Sequence, residues 1–340
     1  VLLRGAYDAL GEEVLPDVPN AILPYPEHLR KDRLGLAQWL FDAKNPLTAR
    51  VIVNRYWQTY FGTGIQKSAD NFGNQGGVPS NPALLDWLAV TFRESGWDIK
   101  AMQKLIVMSA TYRQSSHADA ALLAKDPDNI LLARGPAFRQ PAEMIRDAAL
   151  KASGLLNDSI GGPSVKPYQP EGIWSVNSEV YRQDSGANLY RRSLYTFWRR
   201  TNLAPSLGTF DAPLRSSCIV QRQKTSTPLQ ALVLLNDPQF TEAAKVLAER
   251  AIEKYSNETD RIVYAYRSLT GIKPTQKEIA ILEGLYTAQY NKFSKDKTKM
   301  KGWLATGEYK ISKNLKPEEL AATTVMVSTI MNSDAFVTKR

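Results

Sequence analysis

Between Tyr190 and Lys224 the sequence sets Arg191, Arg192, Arg199, Arg200, Arg215 and Arg222, with Lys224, around a single acid, Asp211. Tyr195, Phe197 and Trp198 lie among them. Guanidinium forks beside aromatic faces bind planar or bidentate anions such as carboxylate, sulfate or phosphate. Just upstream, the Gly/Pro-rich run GGPSVKPYQPEGIW carries Tyr168 and Trp174, with Tyr181 soon after. Such rings either stack on a sugar or staple their own loop down. The arginines have a second use as well, pairing with Asp70, Asp86, Glu143, Asp147 and Asp211 to tie distant parts of the chain together. These two readings stand level on residue type alone.

The same five carboxylates are the candidates for catalysis. Glu143 and Asp147 are four apart and share a helix face, a spacing that a general acid/base pair could use. An ordinary ion-paired helix shows the same spacing, with Arg146 or Arg139 as partner, and the spacing favours that ordinary case. Other chemistries lack their residues. Cys218 is the single cysteine and His28 and His117 the only histidines, so neither a disulfide nor a Cys/His metal site is expected. Cys218 beside Ile219 and Val220 reads as a small buried apolar residue, and both histidines as solvated surface. No G-x-x-x-x-G-K-[ST] or G-x-G-x-x-G occurs, and no Cys-x-x-Cys-His, so neither a nucleotide nor a haem is predicted and no cofactor is assigned.

The 340 residues are enough for two modest domains or one elongated one, at 43% hydrophobic and 23% charged. Net charge is +9, but residues 1–150 carry 16 basic and 16 acidic side chains, and the excess falls later. A neutral first half without a recognised nucleic-acid module argues against DNA or RNA as partner. No run of about 18 apolar residues exists, so no membrane span is expected. The chain begins at Val1, which leaves room for a leader or upstream domains.

Several elements must position these side chains. Residues 1–30, rich in Gly and Pro, read as an extended arm whose first four residues could add a strand. A helix over 33–41 and another from Pro46 to Phe61, capped by Asn45 and stopped by Gly62, are expected to pack as a hairpin. The second is apolar on most sides, so it is placed at the domain centre, with Arg50, Asn54 and Arg55 bonded to carboxylates or loop carbonyls. A loop from Ile65 to Pro82 with Phe72 as inward anchor precedes helices over 82–95, capped by Ser80, and 99–112. A helix opens at Pro141. Periodicity leaves 193–198 undecided between strand and helix. A helix from Leu229 to about Tyr255 is expected to break near Asn236-Asp237-Pro238. Helices follow over 258–270, 275–293 and 317–332, with a lysine-rich exposed segment between the last two.

The stretches RLGLAQWLFDAKNPLTARVIVNRYWQTYFGTGI, DNFGNQGGVPSNPALLDWLAVTFRESGWDIKAM, LIVMSATYRQSS, RQPAEMIRD, IGGPSVKPYQPEGIW, YRRSLYTFWRRT, FDAPLRSSC and TSTPLQALVLLNDPQF, in this order, resemble the planctomycete PSD-one family. The C-terminal motif of that family is similar to the ending here, with Asn332 and Asp334 kept and Ala335 in place of an acid. The resemblance implies an exported protein of the periplasm or cell surface, accompanied in its genome by sulfatases and polysaccharide-degrading enzymes. It also implies cytochrome-c-like domains upstream of Val1 as possible partners. It supplies no catalytic residues. The expected fold is mainly α, a multi-helical array with long Gly/Pro-rich loops and at most a few short strands. The expected divisions are an arm at 1–30, an N-terminal helical domain at 31–155, a loop-rich Arg/aromatic segment at 156–225, and a C-terminal helical region at 226–340 packed on the first. The expected function is a module that binds acidic or complex polysaccharide, or a partner in its processing, through Arg191, Arg192, Arg199, Arg215, Arg222, Tyr168 and Trp174. The alternative is a carbohydrate hydrolase with paired carboxylates.

Overall fold

The computed structural model describes residues 1–174, 180–199 and 201–340. Among them the fold is mainly α, with fourteen helices and one two-stranded sheet. The chain divides into two compact units, Val1–Pro136 and Ala137–Arg340. This boundary lies earlier than residue 155, because the helix opening after Pro141 packs on the C-terminal helices.

The first unit holds α1 (Arg33–Leu40), α2 (Thr48–Phe61), α3 (Pro82–Glu94), α4 (Ile99–Met108) and α5 (Ala120–Lys125). Its core is Val53, Trp57, Ile65, Leu85, Leu88, Phe92, Met102 and Ile106. The main packing partners of α2 are α3 and α4. Gly62, left-handed at φ 82°, ends α2, while Asn45 accepts from the amides of Leu47 and Thr48 at 3.0 and 3.3 Å. Asn54 is fully buried and exchanges two hydrogen bonds with the Gln66 backbone at 3.0 and 2.8 Å, pinning the following loop. Arg50 donates to Asp86 at 2.6 Å. Arg55, expected to be bonded inside, is exposed, so α2 keeps one solvent face. Asn81 rather than Ser80 caps α3, accepting from Leu84 N at 3.0 Å. Residues 1–10 form a short 3-10 turn and an isolated Leu2–Leu10 bridge in place of a strand.

The second unit holds α6 (Ala142–Ser153), α7 (Pro205–Thr209), α8 (Pro228–Asn236), α9 (Pro238–Lys254), α10 (Glu258–Thr270), α11 (Gln276–Lys295), α12 (Lys297–Ala305), α13 (Pro317–Met331) and α14 (Asp334–Val337). Strand β1 (Phe138–Arg139) pairs antiparallel with β2 (Thr338–Lys339) and closes the unit's ends together. At its centre is α9, packed by α6, α8, α10 and α13 and buried on nearly every side. Its apolar residues Phe240, Ala243, Ala244, Leu247 and Ala248 enter the core. Its remaining face is charged yet buried. Lys245 donates to the carbonyls of Leu304, Thr306 and Tyr309 at 3.2, 2.5 and 3.3 Å, and Glu242 and Glu249 accept from Tyr309 N and Ser312 N at 2.7 and 2.6 Å. The lysine-rich segment expected to be exposed therefore contains α12, with Met300 buried, and a loop held onto α9. Gly307, at φ 82°, lies so close that a Cβ would stand 2.3 Å from the Glu242 carboxyl.

Candidate functional site

The α6 helix carries the residues that organise the Arg/aromatic loops. Arg146 is buried and donates to the carbonyls of Leu189 and Arg191, both at 2.8 Å, to Ser193 Oγ at 3.2 Å, and to Gln239 Oε1 on α9. Burial pulls this guanidinium below its ordinary value, while Asp147 and Asp237 act in the opposite sense. Asp147 accepts from the backbone amide and hydroxyl of Ser193 at 2.8 and 2.7 Å. Adjacent residues on α6 thus clamp both ends of the 189–193 turn. That stretch forms short 3-10 turns and isolated parallel bridges, Asn157–Arg191 and Val165–Thr196, with no continuous strand.

Arg191 passes the clamp onward. It is buried and donates to Pro163 O and Ser159 O at 3.0 Å each and to Gly161 O, with its guanidinium 3.8 Å from the Tyr195 ring. Glu143 receives a two-pronged bond from Arg222 at 2.6 and 3.0 Å. Asp211 accepts from Arg139, from Thr225 N at 2.9 Å and from Thr225 Oγ1 at 2.9 Å. Burial alone would raise the Asp211 carboxyl, but the bonds from Arg139 and Thr225 outweigh it and hold it below the usual range. Glu143, Asp147 and Asp211 are each committed to partners of this kind. Asp86 is paired within the first unit and Asp70 is exposed on its loop there.

The other arginines of the segment differ in what they face. Arg192 is exposed and pairs with Asp158 at 3.2 Å. Arg199 lies 5.5 Å from the Trp174 ring. Arg215 is exposed, its guanidinium 4.1 Å from the Trp198 ring, on a backbone at φ 60°. Arg200 lies outside the described residues. Trp174 is buried in a stack with Tyr181, ring centroids 5.3 Å apart, and with Phe197, 5.9 Å apart, so it staples its loop. Cys218, expected to be buried, is exposed in a turn-rich stretch that packs no core.

The stapled loop walls a cleft of about 510 Å³ in the second unit. Tyr168 and Gln169 form one side, the start of α7 another, and Leu232, Val233, Asn236 and Asp237 the third, where α8 meets α9. Pro238 forces that junction. It excludes the helical conformation at Asp237 (ψ 131°), which ends α8 and caps α9 by accepting from Gln239 N at 2.9 Å. Burial raises the Asp237 carboxyl above the usual range, although the Gln239 bonds and Arg146 oppose the shift. Gln239 links the two groups, accepting from Arg146 and donating to Asp237 Oδ1 at 3.4 Å. On the loop side Gln169 Oε1 accepts from Trp174 Nε1 at 2.7 Å, while Gln169 Nε2 is buried without a partner. The Tyr168 hydroxyl accepts from Glu308 N at 2.9 Å, and burial followed by Glu242 pushes it up to about 12. Asp237, Gln169 and Gln239 were not among the sequence candidates, although NDPQF lies within a family stretch.

Residues 32–286 match the family described as PSD1, protein of unknown function (DUF1553). The chain belongs to this family. Neither curated proteins nor solved structures gave a match. The PSD1 match runs from Asp32, the cap of α1, into the middle of α11, and so includes every residue of the clamp and the cleft. Among the described residues no helix is long and apolar enough to cross a membrane, and no three His, Cys, Asp or Glu side chains group as metal ligands.

Proposed function

We propose that the second unit is a binding module for anionic polysaccharide, working outside the cytoplasm and using the outward-facing part of its Arg/aromatic segment. The observation that carries this reading is Arg215. It stands exposed over Trp198 on a left-handed backbone that an L residue adopts only under constraint, and such strain collects where a side chain must be presented. The charge agrees. Residues 1–136 carry 14 basic and 14 acidic side chains, whereas residues 137–340 carry 29 and 20, so the whole excess of nine belongs to this unit. A guanidinium resting on an indole is pre-ordered and partly desolvated, which favours sulfate or carboxylate groups on a flexible chain. The extracytoplasmic setting and any upstream haem domains rest on the family resemblance alone.

Within the segment the arginines divide into two jobs. Arg191 and Arg222, though candidates for the ligand, are spent on loop carbonyls and Glu143, which leaves the exposed Arg192 and Arg215 to meet a polyanion. The test is affinity electrophoresis in heparin and in alginate. Arg192→Gln with Arg215→Gln should weaken binding about five- to tenfold, on the order of 1 kcal/mol, with Tm unchanged. Unaltered mobility would sink the proposal. Among the described residues the hydrolase alternative has one carboxylate, Asp237, lining the cleft, and new reducing ends would favour it.

A further inference from the structure

The connection from α7 to α8 is closed at its neck and apolar at its tip. At the neck Asp211 accepts from Thr225 N and Thr225 Oγ1, both at 2.9 Å, and from Arg139, while Arg222 is forked onto Glu143. Chain ends held this close make residues 212–224 a surface loop of the Ω kind. Residues 214–219 are all exposed, in bends with neither helix nor strand. The backbone is left-handed at Asp211 (φ 61°) and at Arg215 (φ 60°), a conformation that residues other than glycine keep only where their surroundings enforce it. The tip is therefore presented from a fixed base.

Leu214 and Ile219 stand on that tip at 52% and 50% exposure, and Cys218 is exposed between them. One exposed aliphatic side chain is ordinary. Two on a single tied loop, neither of them part of the unit's core, call for an occupant. The charge around them has one sign: from Ala212 to Gln230 the chain carries Arg215, Arg222 and Lys224 and no acid. Arg222 is neutralised by Glu143, but Arg215 lies exposed 4.1 Å from the Trp198 ring, whose Nε1 donates to Leu214 O at 3.4 Å. Aliphatic, indole and guanidinium groups thus meet on one loop.

A soluble polyanion would use the guanidinium and leave the aliphatics in water. An anionic bilayer takes all three, since its headgroups pair with arginine and lysine, its headgroup level suits an indole, and its acyl boundary takes the aliphatics. We infer that loop 212–224 docks the second unit on an anionic membrane surface, with Leu214 and Ile219 entering the interface and Arg215 and Lys224 facing the headgroups. Such attachment lies in one leaflet and needs no spanning helix. It does not rest on the polysaccharide reading, although both use Arg215.

The test is co-sedimentation of the intact chain with vesicles of phosphatidylcholine alone or mixed with phosphatidylglycerol. Because Cys218 is the single cysteine, a polarity-sensitive dye on it reports the surroundings of the tip in a parallel sample. The mixed vesicles should pellet the protein and shift the dye emission to the blue, phosphatidylcholine alone should retain little, and heparin should leave the dye in water. Leu214→Ser with Ile219→Ser should weaken vesicle binding about tenfold while leaving heparin mobility and Tm as they were. Vesicle binding lost with heparin binding kept sinks this inference alone, and the reverse sinks the polysaccharide reading alone. Failure to pellet with mixed vesicles, pelleting with an unshifted dye, or pelleting undiminished in the double serine variant would overturn it.

Discussion

Replacing Arg146 by Met removes the clamp that holds the Arg/aromatic loops. Its guanidinium makes four hydrogen bonds, to Leu189 O, Arg191 O, Ser193 Oγ and Gln239 Oε1, and lies 3.6 Å from Asp147. Methionine fills similar volume but leaves two carbonyls and a carboxamide oxygen in a dry interior. Losing a partner from a buried charged network costs about 3–5 kcal/mol. For a unit of 204 residues each kcal/mol moves Tm by roughly 2–4 °C, so Arg146→Met should lower it by about 6–20 °C. Arg146→Lys should recover little, because a single ammonium cannot reach acceptors spread around a fork. The control is Arg192→Ala, whose pair with Asp158 is half-exposed and should shift stability by less than about 0.5 kcal/mol. Urea unfolding followed by far-UV circular dichroism reads all three variants. A loss under about 1 kcal/mol for Arg146→Met, or equal losses for Arg146 and Arg192, would refute the division into structural and presented arginines.

Asp237→Asn should be neutral or stabilising at pH 7. A carboxyl raised in the folded state keeps its proton where the unfolded chain has lost it, so wild type pays a penalty as pH rises from 3.8 through the folded value. The variant's advantage should shrink as pH falls toward 4, which parallel thermal melts would show. Asp211 has the opposite sign: its lowered carboxyl adds stability above pH 3.8 that disappears as pH falls through the folded value, and Asp211→Asn should flatten that acid limb. Gly307→Ala should cost about 2–4 kcal/mol in a urea titration, from roughly 1–2 for a left-handed L residue and the rest from overpacking against the buried Glu242 carboxyl.

Helix ends were legible because their signals are local. Asn45 and Gly62 act within one turn of α2, and the break before Pro238 followed from the ring's clash with a helical Asp237. The lysine-rich stretch misled because its charge pattern describes the solvent side of α12. It says nothing of the carbonyls beyond it that Lys245 collects from α9. The arginine network was visible as composition but not as pairing: Arg222 reaches Glu143 across 79 positions and Ser193 reaches Asp147 across 46, separations that carry no periodic signal. Asp237 escaped notice because an acid before proline already has a complete local explanation as a helix cap. Gln169 and Gln239 are uncharged amides in ordinary contexts, and only the packed loop turns them into a donor without a partner and a bridge.

Calorimetric titration of the intact chain with heparin at about 50 and 300 mM salt, with product analysis of each mixture, tests the basic-surface reading most directly. Binding that weakens steeply with salt, shifts further with Arg192→Gln and Arg215→Gln, and leaves the polymer uncut is the predicted result. Absent binding, or binding indifferent to both salt and the two arginines, would contradict it.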